Sequence, residues 1–336
     1  MAIAQKMVNY AMRADSGLGT LRRFLFGEKP GLLTVLFHNI FHDESVVTSG
    51  LAYPQEGVTQ AQFRTFLDCW QRAGYRFVSL GNIIAGLDEG GRYVHLTFDD
   101  GYSSILDILP ILEEYQAPAT LFVTSYNIET GHAFRPDVVY REGIAQGRTE
   151  SETSAIIESL KSKSSAKVQK FMLERYGEAA LSNADSLARP LTADEIAGLA
   201  THPLIDIGNH TMNHINLTEC SLEEKRSQIS GCQKAVEIIT GKTPVAISYP
   251  YGNFNDEVLD VARAEGLLLG ITCEEGKNRL PLNENLLKLY RYDFLGELQP
   301  SVQFERFRSD VHLFWPAFKK LLLFLTTHIH FRFGKG

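Results

Sequence analysis

Two acidic side chains, Asp99 and Asp100, stand side by side in the segment Thr-Phe-Asp-Asp-Gly at residues 97–101. They follow an apolar and β-branched run, residues 93–98, that is typical of a buried strand. Neighbouring carboxylates repel each other unless a cation or a proton lies between them, so the pair indicates a metal site or a catalytic site. Asp-Asp-Gly is also favourable turn chemistry after a strand. This segment alone leaves both interpretations open.

A pair of histidines, His210 and His214, follows a second short apolar run at residues 204–208. Imidazoles four positions apart, in a turn or on a helix face, can point at one place. Two histidines and one carboxylate form a ligand set that leaves coordination positions open, which suits zinc or ferrous iron. Because both patterns stand at the ends of predicted strands, together they favour a metal centre over two unrelated turns.

Three segments resemble, in order, the first three motifs of the polysaccharide deacetylases that have a NodB-like domain (carbohydrate esterase family 4). They are residues 97–101, residues 210–214 and Ser-Tyr-Pro-Tyr-Gly at residues 248–252. The chain resembles the exopolysaccharide or capsule type within that family. The resemblance extends from residue 97 to residue 252, so it covers the middle of the chain.

The resemblance implies a role for each of five residues. Asp100, His210 and His214 would hold a divalent metal, with Zn²⁺ as the first choice. Asp99 would be the general base that acts on the metal-bound water, and this water would attack the amide carbonyl. The backbone N–H of Tyr251, together with the metal, would stabilise the oxyanion.

The Pro-Tyr-Gly segment is expected to form a substrate-binding turn. Pro250 fixes the turn, and Gly252 allows a close approach of the backbone. The rings of Tyr249 and Tyr251 could stack against a sugar, or they could pack into the core. Both outcomes are compatible with the sequence.

The chain also departs from the family pattern at three places. Ser248 stands where the third motif often has an arginine, two residues before the proline. The Asp-Trp of the fourth motif has no counterpart, since the two tryptophans are Trp70 and Trp315. The fifth motif, Leu-x-His, is replaced by Leu-Tyr-Arg at residues 289–291. Arginine is a poor general acid because it stays protonated far above neutral pH.

These departures lead to a specific hypothesis about two residues. Arg291 would replace the missing arginine and orient Asp99, and His38 would supply the proton to the leaving amine. His38 ends the predicted first strand, residues 32–38. Deacetylases of this kind commonly end that strand in Tyr-His, which Phe37-His38 resembles. A histidine in this place can also be purely structural.

The order of apolar patterns predicts a fold in which strands alternate with helices. Predicted strands are residues 32–38, 76–80, 93–98, 120–124, 204–208, 245–249, 267–272 and 286–292. Predicted helices are residues 59–73, 103–115, 221–239 and 255–265, and one that begins with a capping box of Thr192 and Glu195. Long crossovers imply parallel strands, and acids at strand ends fit a (β/α) barrel. The resemblance implies a distorted, seven-stranded α/β barrel.

The sequence predicts a division of the chain into three parts. Residues 1–30 form an N-terminal arm, and residues 31–300 form the barrel, with a helical insertion at about residues 127–189. The insertion is either a lid or substrate wall, or a structural appendage. Residues 301–336 form a C-terminal helix and tail. The tail contains the apolar segment 314–325 with two lysines, which would pack on the barrel or make peripheral contact with a membrane.

The composition limits the classes of protein. The 336 residues are 44% hydrophobic and 22% charged, with a formal net charge of −7, which argues against a nucleic-acid binder. The four cysteines show no Cys-x-x-Cys spacing and predict neither a zinc knuckle nor a disulfide framework. The sequence has no apolar core of a secretion signal and no run of transmembrane length, so a cytoplasmic location is expected.

The sequence therefore predicts a metal-dependent hydrolase that removes N-acetyl groups from an amino sugar. The sugar would belong to a polysaccharide, a glycan or a lipid-linked saccharide. Two alternatives stay open: a related amidohydrolase that acts on another acyl group or a non-sugar amide, and an inactive homologue that only binds saccharides.

Overall fold

The computed structural model describes residues 2–182, 189–282 and 286–310 of the chain. The strands are β1 (Gly31–Phe37), β2 (Ile40–Phe41), β3 (Val58–Thr59), β4 (Arg76–Phe77), β5 (Arg92–Phe98), β6 (Ala119–Val123), β7 (Ile205–Asn209), β8 (Ala246–Ser248), β9 (Leu269–Ile271) and β10 (Tyr292–Asp293). The α-helices are α1 (Ala2–Phe26), α2 (Glu44–Val47), α3 (Gln60–Arg72), α4 (Leu80–Ala85), α5 (Ile105–Tyr115), α6 (Ser125–Thr130), α7 (Arg135–Ala145), α8 (Glu150–Leu160), α9 (Ser165–Ser182), α10 (Ala193–Leu199), α11 (Leu222–Thr240), α12 (Asp256–Ala264) and α13 (Pro300–Ser309). Short 3₁₀ turns occur at Leu217–Glu219, Pro250–Gly252 and Leu286–Lys288.

Seven parallel strands form one curled sheet in the order β10-β1-β5-β6-β7-β8-β9, and β4 adds to the beginning of β5. Its two ends are joined through the last segment of the barrel. Leu289 pairs with Ile271 of β9, and Tyr292 of β10 pairs with Val35 of β1. With helices around it, the sheet is the expected distorted (β/α) barrel.

The register of two central strands determines which residues leave the barrel together. β1 is almost entirely apolar and β5 is mainly apolar, and both are buried over nearly their whole length, as strands of parallel sheets are. Phe37 pairs with Phe98, the last residue of each strand. His38 and Asp99 therefore emerge side by side at the carboxyl edge of the sheet, where the functional sites of such barrels lie.

Most predicted elements are confirmed within one to three residues at each end. The helix predicted at residues 59–73 is α3, which buries Phe63, Phe66, Leu67 and Trp70. The capping box of Thr192 and Glu195 begins α10. Residues 221–241 form the predicted helix, with Ser221 as N-cap and Gly241 as C-cap.

Two of the strand predictions were wrong in extent. Residues 286–292 were expected to form one strand, but residues 286–288 form a 3₁₀ turn and only Tyr292–Asp293 is the strand β10. The apolar pattern does not distinguish the two conformations, because Leu287 in the turn and Leu289 just after it are buried as they would be in a strand. The strand predicted at residues 76–80 ends at Phe77, since Ser79 caps the helix α4 with Asn82.

The helical insertion lies between β6 and β7. Its helices α7, α8 and α9 share a small apolar core of their own, formed by Ala133, Val138, Val139, Leu160, Val168, Met172 and Leu181. α7 also contacts the body of the protein. The carboxylate of Asp137 in α7 accepts a hydrogen bond from the Tyr102 hydroxyl at 2.6 Å and another from the Tyr53 backbone N–H at 2.8 Å.

The ends of the described chain pack against each other. The long helix α1 lies along α13, and α13 lies against α3. The apolar segment 314–325 falls outside the described residues. Its expected packing on the barrel or contact with a membrane therefore stays a prediction. Among the helices that are described, none combines the length and the apolar character needed to cross a bilayer. The division into arm, barrel and tail stays a prediction.

Candidate metal centre and active-site cavity

The residues predicted to bind a metal follow two strands of the sheet, β5 and β7, that lie on either side of β6. Asp100 is the second residue after β5, and His210 directly follows β7. Asp100 has a φ of +71°, in the left-handed region, and His214 has a φ of +47°. Thr211 and Tyr251 also have positive φ, at 66° and 60°. Non-glycine residues adopt this region at a cost, and their concentration here is typical of a functional site.

The loop that carries both histidines is held by its own side chains. The Asn209 carboxamide oxygen accepts a hydrogen bond from the Thr211 N–H at 2.8 Å. The Thr211 hydroxyl in turn accepts one from the His214 N–H at 3.1 Å. Asn209 is anchored to α11, because its amide group donates to the Ile229 carbonyl and to Gln233. The loop is therefore fixed from within and from behind.

The three predicted ligands converge on one point. One ligand atom from each of Asp100, His210 and His214 lies within 4.8 Å of the others. Asp100 Oδ1 is 3.3 Å from His210 Nε2 and 3.5 Å from His214 Nε2. This spacing is that of donors arranged around a common centre.

The state of each donor suits a metal. His210 Nδ1 donates to the Ser248 carbonyl at 2.7 Å, so Nε2 carries the lone pair. This buried Nε2 has no hydrogen-bond partner among the described residues. Burial lowers the pKa of His214 to about 3, which keeps its imidazole neutral at neutral pH. Burial alone would raise the pKa of Asp100, but the neighbouring histidines hold it well below its usual range. The residues present therefore fit a divalent cation.

Asp99 occupies a different environment from its neighbour. Arg291 donates from Nη1 to Oδ1 at 2.9 Å, and its Nη2 lies 2.8 Å from Oδ2, at ion-pair distance. The Ser248 hydroxyl also donates to Oδ2 at 2.8 Å. Burial raises the pKa of Asp99, but the Arg291 charge outweighs this and holds the pKa below its ordinary value. The guanidinium itself is fixed by the Thr272 carbonyl, which accepts from Nε at 3.1 Å.

His38 lies in the same cavity and has an acid partner. Its Nδ1 is 3.0 Å from Glu56 Oε1, and both side chains are largely buried. Burial alone would lower the pKa of His38, but the Glu56 carboxylate outweighs it and raises the pKa to about 10. His38 is therefore a protonated imidazolium at neutral pH.

The two tyrosines of the Pro-Tyr-Gly segment have different surroundings. The Tyr249 side chain is fully buried, and its hydroxyl donates to the Leu287 carbonyl at 3.1 Å. Its ring is therefore part of the core and has no face free to stack on a sugar. Tyr251 lies at the cavity wall, with its ring edge-on to the His214 ring at 4.7 Å. Residues Pro250–Gly252 form a 3₁₀ turn that directly follows Tyr249.

These groups line a cavity of about 440 Å³ at the carboxyl edge of the sheet. Its volume is within the range of small-ligand sites. Its lining includes Asp99, Asp100, both histidines and Arg291 from the barrel. The insertion contributes Arg135, Pro136, Val139, Ile157, Leu160 and Lys161. The insertion thus forms part of the cavity.

The sequence did not reveal the roles of three residues at the site. Glu56 lies in a polar loop and Arg135 at the beginning of α7. Neither residue belongs to a periodic pattern or a motif that would mark it as functional. Ser248 stands out in the sequence only because it replaces the arginine that is common in the third motif. Its hydroxyl donates to Asp99 and accepts from Arg291 at 3.1 Å, so the serine leaves space for the arginine that arrives from residue 291.

Comparison with known proteins agrees with this geometry. The polysaccharide deacetylase family profile matches residues 87–269, more than half of the chain. The Bacillus subtilis protein YxkH, assigned to the polysaccharide deacetylases, is 23% identical over 255 residues, which are 74% of this chain and 67% of YxkH. The chitooligosaccharide deacetylase of Azorhizobium caulinodans is 42% identical over 62 residues, which are 18% of this chain and 30% of that protein.

Solved structures show the same fold. The Streptococcus pyogenes deacetylase PplD, solved in complex with acetate, has a TM-score of 0.57 at 20% identity, covering 83% of this chain and 99% of PplD. IcaB from Ammonifex degensii has a TM-score of 0.57 at 16% identity, covering 83% of this chain and 98% of IcaB. The match of the family profile and the shared barrel lead to one conclusion: the chain belongs to the polysaccharide deacetylase family.

Proposed function

We propose that this protein is a metal-dependent amide hydrolase that removes the N-acetyl group of an amino sugar in a polysaccharide, glycan or lipid-linked saccharide. Asp100, His210 and His214 would hold the cation, with Zn²⁺ as the first choice from the carboxylate and imidazole donors. When bound, such a cation lowers the pKa of a water and polarises the amide carbonyl. The other tasks fall to side chains of the cavity.

Asp99 is the proposed general base. It accepts a proton from the attacking water as the new bond to the carbonyl carbon forms. The bidentate contact with Arg291 and the Ser248 hydroxyl fix the direction of its oxygens. The same contact keeps Asp99 deprotonated in a buried place. Arg291 is thus a positioning residue, in agreement with the hypothesis that it replaces the arginine of the third motif.

His38 is the proposed general acid. The carbon–nitrogen bond of the tetrahedral intermediate breaks as the imidazolium gives its proton to the leaving nitrogen, and an amine and acetate result. Glu56 holds the imidazole and maintains its charge. The backbone N–H of Tyr251, in its left-handed turn, would donate to the oxyanion.

The observation that carries the proposal is the separation of roles between two adjacent carboxylates. Asp100 faces two imidazoles, whereas Asp99 is held by an arginine and a serine. A protein that only bound sugars would gain nothing from a restrained base next to a cation site.

The test is acetate release from N-acetylglucosamine oligomers by the metal-loaded protein and by Asp99→Asn. We expect release by the wild type and a loss of about 10²- to 10⁴-fold in Asp99→Asn at equal metal content. Asp107→Asn, at an exposed position of α5, is the matched control and should retain full activity. Bound metal without release from any acylated sugar would instead support the inactive, saccharide-binding homologue.

A further inference from the structure

The geometry points to an anionic substrate: we infer that Arg135, assisted by Lys161, binds a phosphate or carboxylate group of the N-acylated sugar. This inference rests on the proposed function and narrows its substrate class. It concerns the residues that the insertion contributes to the cavity.

The cations of the cavity are not equivalent. Arg291 is paired with Asp99, His38 with Glu56, and Lys161 with Glu158 at 2.6 Å. Each of these charges therefore has its own carboxylate. Arg135 is different: within the described chain no carboxylate lies at ion-pair distance from its guanidinium.

The contacts of Arg135 leave most of its donors free for a ligand. Its Nη2 donates to the Asn213 carbonyl, in the loop between the two candidate metal-binding histidines. A guanidinium has five N–H groups, and this contact uses one. None of its nitrogens belongs to the buried and unpartnered atoms, and Arg135 lines the cavity. Arg135 therefore keeps donors that a ligand in the cavity can use.

An uncompensated charge at such a place is costly unless a partner of opposite charge arrives. A planar guanidinium matches the paired oxygens of a carboxylate or a phosphate better than any neutral sugar hydroxyl. Asp100 is the carboxylate whose field reaches Arg135, but it belongs to the candidate metal site. An anionic group of the substrate is the partner that remains.

Lys161 extends the same positive surface. It follows α8 directly, and its ammonium lies 5.4 Å from the centre of the Tyr251 ring. Its partner Glu158 is 71% exposed, so this ion pair is weak and can exchange for a substrate oxygen. Both cations therefore come from the insertion, and both face the turn that holds Tyr251.

The inference is tested by comparing three N-acetylated sugars that differ in charge. The probes are N-acetylglucosamine 1-phosphate, N-acetylmuramic acid, which carries a carboxylate, and the neutral methyl glycoside of N-acetylglucosamine. We expect kcat/KM for acetate release to be at least about tenfold higher for one of the charged sugars. The two charged probes distinguish phosphate from carboxylate.

Variants connect the preference to the residues. Arg135→Gln should bring the ratio of charged to neutral kcat/KM close to one, and Lys161→Gln should lower it by a smaller factor. Lys170→Gln removes an exposed lysine of the same insertion, away from the cavity, and should keep the wild-type ratio. Equal values for charged and neutral sugars in the wild type, or an unchanged ratio in Arg135→Gln, would overturn the inference.

A binding measurement separates this inference from the proposed function. Calorimetry on Asp99→Asn in the presence of EDTA reports sugar affinity without turnover and without a metal that could bind the phosphate. The charged sugar should bind at least about tenfold more tightly than the neutral one, and Arg135→Gln in the same background should abolish the difference. If no sugar is hydrolysed but this difference persists, the hydrolase is wrong and the anion site stands. If acetate is released but charged and neutral sugars bind equally well, the hydrolase stands and the anion site is wrong.

Discussion

At the scale of single residues, the site depends on giving two adjacent aspartates different neighbours. Alternate side chains of a strand point to opposite sides, but β5 ends before Asp100, and the left-handed φ of this residue redirects its carboxylate. Asp100 then meets His210 and His214, and Asp99 stays beside Arg291. Each of the two negative charges thus has its own partner group, and this offsets the repulsion between the adjacent carboxylates.

Arg291→Met should move the acid limb of the kcat/KM–pH profile to higher pH and reduce kcat/KM. A base works only when deprotonated, and loss of the guanidinium leaves burial to raise the pKa of Asp99. Removing one partner of a buried pair also costs about 3–5 kcal/mol of stability, so Arg291→Lys, which keeps the charge, should be intermediate in both respects. Arg263→Met, at an exposed ion pair of α12, is the control. An unchanged profile in Arg291→Met would show that Arg291 does not act through Asp99.

Glu56→Gln should move the alkaline limb of the same profile to lower pH by about 1–3 units. An acid works only when protonated, and the pKa of His38 is raised to about 10 chiefly by Glu56, against the effect of burial. Without that carboxylate the imidazole loses its proton at a lower pH. Glu89→Gln, on the exposed loop before β5, should leave both limbs in place. Should Glu56→Gln keep the alkaline limb, another group must donate the proton.

At the scale of elements, the carboxyl edge of the sheet brings together residues that are far apart in the chain. His38 follows β1, Asp99 follows β5 and His210 follows β7, so their side chains meet where parallel strands end. Arg291 precedes β10, and its long side chain crosses to β5. The Pro-Tyr-Gly turn after β8 completes the edge.

Gly252→Ala should destabilise the protein and lower activity, because it disturbs the turn that holds Tyr251. Gly252 has a φ of +71°, and an added Cβ would lie 2.6 Å from Cys273 Cβ and 2.7 Å from the Cys273 backbone nitrogen. Gly241→Ala is a matched control, since it has a φ of +70° and nothing within 4 Å.

In the control, the free energy of unfolding should fall only by the cost of the left-handed conformation, about 1–2 kcal/mol, and kcat/KM should be unchanged. Gly252→Ala should lose more stability than this, and its kcat/KM should fall by about tenfold or more. Urea unfolding and initial rates measure both quantities. Equal effects in the two variants would mean that the close approach at Gly252 has no role.

The sequence predicted the elements well where burial imposes a pattern. The run at residues 32–38 and the amphipathic face of α3 have the periods of a buried strand and of a helix, and both were found. The pattern failed at residues 286–292, where a turn buries the same leucines as a strand would. It was silent on Glu56 and Arg135, because a charge in a loop or at a helix start looks the same whether it faces solvent or a cavity.

At the scale of the whole molecule, the barrel supplies the proposed metal ligands and proton-transfer groups, and the insertion contributes part of the cavity lining. The chain is identified by motifs that span residues 97–252, while Arg291 and His38 lie outside this range. The placement of His38 follows from the pairing of β1 with β5, and that of Arg291 from closure of the curled sheet, in which Leu289 meets β9 and Tyr292 meets β1. The insertion adds a positively charged wall that the barrel motifs do not predict.

Zinc should stabilise the folded protein, because a ligand that binds only the native state lowers its free energy. At a free zinc concentration of about 100 times Kd the gain is about 2.7 kcal/mol, which corresponds to a rise in Tm of roughly 4 °C for a chain of this length. EDTA should reverse the rise, and His214→Ala should not show it. The measurement is a thermal melt followed by circular dichroism. A rise of the same size in His214→Ala would assign the metal to another site.

The central claim is that Asp100, His210 and His214 hold one cation, and X-ray absorption at the zinc edge of the loaded protein tests it most directly. The account predicts one zinc per chain, with two imidazole nitrogens at about 2.0–2.1 Å and carboxylate or water oxygens at about 2.0–2.2 Å. The imidazole signal should be lost or changed in His214→Ala. Zinc bound through sulfur at about 2.3 Å, or no bound zinc at all, would contradict the account.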